Sequence, residues 1–95
     1  LEFLEEAAGM PTLEELLSIV ASDDADLEAK YQLAVCHVAA EEYEQALLVS
    51  LDILRADREF REDLGRTTMI RVFEVLGKGN ELAGKYRRKM FNLMH

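Results

Sequence analysis

The chain has one cysteine, one proline and no tryptophan in 95 residues. A lone cysteine, Cys36, excludes an internal disulfide framework and any Cys-x-x-Cys redox pair within these residues. The two histidines, His37 and His95, add no metal-ligand spacing to it. One proline and five glycines leave no Pro-rich or Gly/Ser-rich stretch to act as a linker. No run of about 18 apolar residues could span a bilayer, and no basic-then-apolar leader stands at the amino end. The expectation is a soluble, cytoplasmic protein. Because it begins with Leu1-Glu2-Phe3 and no initiator Met, it also reads as a piece of something longer.

What is present is oil and charge. Hydrophobic residues make up 49% and charged residues 32%, with a net charge of −8. That composition suits one domain with a core of modest size. The charge is lopsided: residues 1–52 hold thirteen acids against Lys30, and residues 53–95 hold six acids against ten bases. Net acidity and the lack of basic-aromatic interleaving argue against nucleic acid. The same segregation would let the acidic half of one molecule meet the basic half of another.

The apolar residues recur at three- and four-residue steps, the helical period, and nothing reads as a strand pair. The reading is all-α with about five helices: two antiparallel pairs and an extra helix in front. Glu2 to Ala8 looks like the tail of a helix stopped by Gly9. Thr12-x-x-Glu15 has the form of a capping box, ahead of a stripe of Leu13, Leu16, Leu17 and Val20. Asp23 or Asp24 caps the next helix, which runs to Ala39 or Ala40. Glu41 and Glu42 open a fourth, ending between Leu54 and Asp57. Arg55 to Asp63 is a polar loop anchored by Phe60, and residues 64–76 are helical up to a stop at Gly77. Asn80 caps a last helix from Glu81 to about Met94. Gly84 inside it suggests a close helix–helix approach.

Cys36 and His37 are adjacent, which on a helix sets them about 100° apart and spoils a nucleophile–base couple. Cys36 is therefore expected as a small hydrophobe in a helix interface, and His95 as disordered. A thiol enzyme using Cys36 is the last-ranked reading. No catalytic, cofactor or metal residue is assigned. Lys85, Arg87, Arg88 and Lys89 form the main basic candidate for an interaction patch. Met90, Phe91, Leu93 and Met94 make the same helix more apolar all round than a surface helix needs.

The helix pairs resemble the 34-residue tetratricopeptide pattern, with Leu33, Ala34 and Ala46 at its Leu and small-residue positions. A shift of 36 sets Met69, Ile70, Phe73, Leu82 and Tyr86 on equivalent sites, as the end of a longer array. More specifically, Leu76, Gly77, Gly79, Leu82, Ala83, Tyr86, Arg87 and Arg88 resemble the carboxyl-terminal region of bacterial YbbN-type thioredoxin-like co-chaperones. The resemblance implies that residues 1–95 follow an amino-terminal thioredoxin-like domain that lies outside this chain. It implies a protein-binding role toward a chaperone, a client or that attached domain, in folding and redox homeostasis. Glu28, Tyr31, Val35, Thr67, Arg71 and Glu74 lie near positions that line the concave groove of such arrays, and Phe91 joins the basic patch as a contact residue. A self-association module, pairing two copies as a homodimer, is the alternative.

Overall fold

The structure, a computed structural model, describes residues 2–94 other than Asp24, with side chains placed over residues 5–93. The expectations attached to Asp24 as a cap, to the Met94 side chain and to His95 lie outside the described residues. Among the described residues there are six helices and no strand. They are α1 (Glu2–Ala8), α2 (Leu13–Ser22), α3 (Leu27–Ala39), α4 (Tyr43–Ala56), α5 (Leu64–Leu76) and α6 (Glu81–Met94).

Local chemistry sets most of these boundaries. The Thr12 hydroxyl accepts from the Glu15 amide at 3.2 Å, and the Glu15 carboxylate accepts from the Thr12 amide at 3.3 Å, so the capping box that opens α2 is formed. Asn80 Oδ1 accepts from the Ala83 amide at 3.0 Å and starts α6 as expected. The cap of α3 is Asp26, whose Oδ1 accepts from the Ala29 amide at 3.0 Å. Asp23 instead ends α2, its amide donating to Ile19. α3 closes with the Glu42 amide on the His37 carbonyl at 2.8 Å, which holds Glu41 at φ 63°. A side chain in that left-handed region costs about 1 kcal/mol relative to glycine. α5 ends instead on Gly77 at φ 89°.

α3 is the centre of the fold. It touches α1, α2, α4 and α5, and nine of its thirteen residues are buried. α1 and α2 both pack on α3, and among the described residues they make no contact with each other. The Glu2–Ala8 segment is thus a sixth element seated on the fold. The main core joins Val35, Leu47, Leu51, Ile53, Met69, Val72, Tyr86 and their neighbours, with Phe60 packed against it from the loop. A smaller cluster of Leu16, Ala29, Leu33 and Cys36 lies under α2.

Three expectations are corrected. Leu17 is 46% exposed, because the short α2 rests on α3 through Leu16 alone as a fully buried residue; Leu13 and Val20 are half-buried. The close helix–helix approach is at Gly65, where an added Cβ would stand 3.1 Å from the Leu54 amide nitrogen and 3.3 Å from the Ser50 carbonyl oxygen. At Gly84 it would meet only the far end of Arg88, at 3.9 Å. The two pairs also repeat at 37 residues and not 36: caps at Asp26 and Asp63, ends at Ala39 and Leu76, and fully buried small residues at Ala46 and Ala83. In the 57–63 loop between the pairs, Arg61, Glu62 and Asp63 all have positive φ.

Candidate protein-binding surfaces

α1 packs on α3, along the face that the groove residues were expected to line, and reaches α5 through a side chain. Glu6, on α1, bridges the two: Oε1 accepts from the Tyr31 hydroxyl at 2.5 Å and Oε2 from Arg71 Nη2 at 2.5 Å. Burial works against ionisation of Glu6, but the hydrogen bonds from Arg71 and Tyr31 and the guanidinium charge outweigh it and hold the pKa below the usual carboxylate value. Burial, and then the Glu6 carboxylate, push the Tyr31 phenol up. Burial depresses the Arg71 pKa, but the hydrogen bonds to Glu6 and Tyr31 and the nearby Glu6 charge together more than reverse this.

The six groove residues therefore separate. Tyr31 is buried and Arg71 is engaged by Glu6. Val35 is 0% exposed, because α3 is covered on all but one narrow flank, and it offers no surface to a partner. Glu28 is exposed but holds Arg61 with both carboxylate oxygens, at 2.8 and 2.7 Å. The Thr67 hydroxyl donates to the Leu64 carbonyl of its own helix. Glu74 alone is exposed without an intrachain ion pair among the described residues.

The α6 residues fall on two sides. Lys85 and Lys89 flank the Tyr86 ring, their ammonium groups 5.5 and 5.0 Å from its centroid. Lys85 also reaches Glu44 at 3.5 Å, and Glu44 accepts from the Tyr86 hydroxyl at 3.0 Å. Burial and then that carboxylate raise the Tyr86 pKa. Arg87 turns the other way and lies over the Phe73 ring at 5.0 Å. Arg88 is exposed on the outer side. Lys85 and Lys89 thus share one side of α6, as their spacing predicts, while Arg87 and Arg88 spread the charge around it.

Arg87 leads into a cleft of about 490 Å³ between α5 and α6. Ile70, Phe73, Met90 and Phe91 give it an apolar floor, and Glu74, Lys78 and Arg87 give it a charged rim. Phe91 is 52% exposed, the most exposed large hydrophobic side chain among the described residues. Glu74, Arg87 and Phe91 are the expected residues that the fold brings together here. Lys78, Ile70 and Met90 went unassigned. Lys78 follows a helix stop and gives no periodic signal, whereas Ile70 and Met90 carry the helical period and could have been found as the flanks on which α5 and α6 face each other.

Cys36 and His37 point to different partners. The Cys36 thiol is buried in the small cluster under α2, 3.7 Å from the Pro11 carbonyl, and burial raises its pKa. His37 Nδ1 lies 2.8 Å from Glu42 Oε1. A raised, buried thiol is a poor nucleophile. Among the described residues no three metal-ligating side chains gather, and no helix is long and apolar enough to cross a membrane.

A family model described as tetratricopeptide repeat matches residues 6–95. No curated protein and no solved structure matches the chain.

Proposed function

Because the chain belongs to the tetratricopeptide repeat family, we propose that it is a protein–protein interaction module whose working surface is the α5–α6 cleft with its basic rim. The observation that carries this reading is Phe91. An aromatic ring half in solvent beside an apolar cleft has the make-up of an interface anchor, and Arg87 and Lys78 supply the charged margin. The α3–α5 groove is the weaker candidate, since α1 already lies over it.

The finer assignment is the carboxyl-terminal helical region of a YbbN-type thioredoxin-like co-chaperone of the bacterial cytoplasm. It holds unfolded clients or passes them to a chaperone, and catalyses nothing itself. Support comes from the run Leu76 to Arg88 that carries the resemblance: it forms the α5–α6 turn, and its Gly77 and Arg87 line the cleft. Any thiol chemistry would belong to the thioredoxin-like domain.

Light scattering tests this. A denatured test protein diluted into buffer with excess chain should aggregate more slowly, and Phe91→Ser should remove most of that protection. Equal scattering with and without the chain would rule out the co-chaperone role.

A further inference from the structure

The two ends of the helix stack are uncovered in complementary ways. At one end α2 packs on α3 alone of the other helices. Its Leu13, Leu17 and Ala21 stand at four-residue steps and form one ridge. Leu17 is 46% exposed, and α2 carries Glu14 and Glu15 with no base. At the other end the α5–α6 cleft presents the opposite: an apolar hollow beside Phe91, with two bases, Lys78 and Arg87, against one acid, Glu74, on its rim.

We propose that these ends recognise each other, so that the α2 ridge of one copy of this chain seats in the α5–α6 cleft of a second copy, head to tail. The inference rests on the reading of the cleft as a protein-binding surface and names its occupant. Charge selects the second copy in this orientation. Two clefts facing each other would set Lys78 and Arg87 against the same residues, and two α2 faces would oppose Glu14 with Glu14. The crossed pairing sets the acids of α2 against the two bases of the rim, in the same sense as the whole chain, with thirteen acids and one base in residues 1–52 and ten bases and six acids in residues 53–95. Leu17 meets Phe91 and the floor of the hollow. The contact is heterologous, so a pair still has one free ridge and one free cleft, and growth continues unless geometry closes a ring.

Sedimentation of the full chain up to about 1 mM, a concentration that detects even weak association, at low and high salt tests this. The average mass should rise with concentration past that of a pair, and less so in salt. Leu17→Ser and Phe91→Ser alter exposed side chains, and circular dichroism checks that both variants fold. Each alone should associate about tenfold or more weakly than the parent. Mixed one to one, they should form a pair that grows no further, because the intact ridge of the Phe91→Ser copy meets the intact cleft of the Leu17→Ser copy. A parent chain monomeric throughout overturns the proposal, as does either variant associating like the parent, or a mixture that forms no pairs. A monomeric parent whose Phe91→Ser variant still loses protection of a denatured protein would keep the cleft and discard this occupant.

Discussion

The α3–α4 and α5–α6 pairs follow one pattern 37 residues apart, yet they meet their surroundings differently. On α4, Leu47, Leu51 and Leu54 are 0–3% exposed beneath α5. The positions 37 residues later on α6 are Gly84, Arg88 and Phe91, with no described helix over them. Where a described helix covers it, this flank is oily; where none does, it is small or charged, apart from Phe91. The pairs also differ in their turns, since α3 stops on Glu41 at φ 63° and α5 on Gly77 at φ 89°. Position in the stack, more than membership of the repeat, decides which residue a site demands.

The largest expected contrast is between Leu51 and Arg88. Truncating Leu51 to Ala should cost about 2–5 kcal/mol by removing core contacts, whereas Arg88→Ala should stay within about 0.5 kcal/mol. Urea unfolding checks both, and similar losses would break the comparison. Next comes one substitution with opposite signs. Gly65→Ala should destabilise by about 1–3 kcal/mol, because backbone atoms of α4 cannot yield to the new methyl. Gly84→Ala should stabilise by up to about 1 kcal/mol, where open space leaves only the helix preference. Third, Glu41→Gly should raise stability by about 1 kcal/mol by giving the first turn the residue type that ends α5.

The smallest effect concerns Glu6, the link between the pairs. Its carboxylate titrates below the ordinary value of 4.5 in the folded chain, so folding favours the ionised form. That contribution is complete above about pH 4.5 and is lost as pH falls through the lowered pKa. The side chain is a third exposed, which limits its size. Unfolding midpoints followed from pH 7 to pH 3 should decline more steeply for the parent than for Glu6→Gln, and parallel curves would remove the link.

Much of this was legible in the sequence, because it rests on neighbours along the chain. The helical period, the Thr12–Glu15 box, the Asn80 cap and the Gly77 stop need only a few adjacent residues, and the structure has all four. Cys36 read correctly as a packed thiol for the same reason. The seat of α1 on α3, the Glu6 bridge to Tyr31 and Arg71, and the burial of Val35 depend on residues 25 to 65 positions apart, and no local pattern announces them. Gly84 and Gly65 look alike in sequence; only the path of α4 distinguishes the roomy one from the crowded one. Leu17 fits the apolar stripe by spacing, but a ten-residue helix lying on a single neighbour has too little partner surface to cover it. For the cleft, the α6 half was visible in Arg87 and Phe91. The α5 half was partly assigned to a groove, because the two flanks of α5 carry similar residues.

The central place of α3 has a consequence for synthesis. As the polypeptide leaves the ribosome, α1 and α2 emerge ahead of α3, share no contact among the described residues, and cannot bury Leu16 until residues 27–39 follow. In a nascent chain halted at Asp26, α1 and α2 should therefore stay open to proteases, and release just past Ala56 is the earliest point at which α3 and α4 can close a compact nucleus with them.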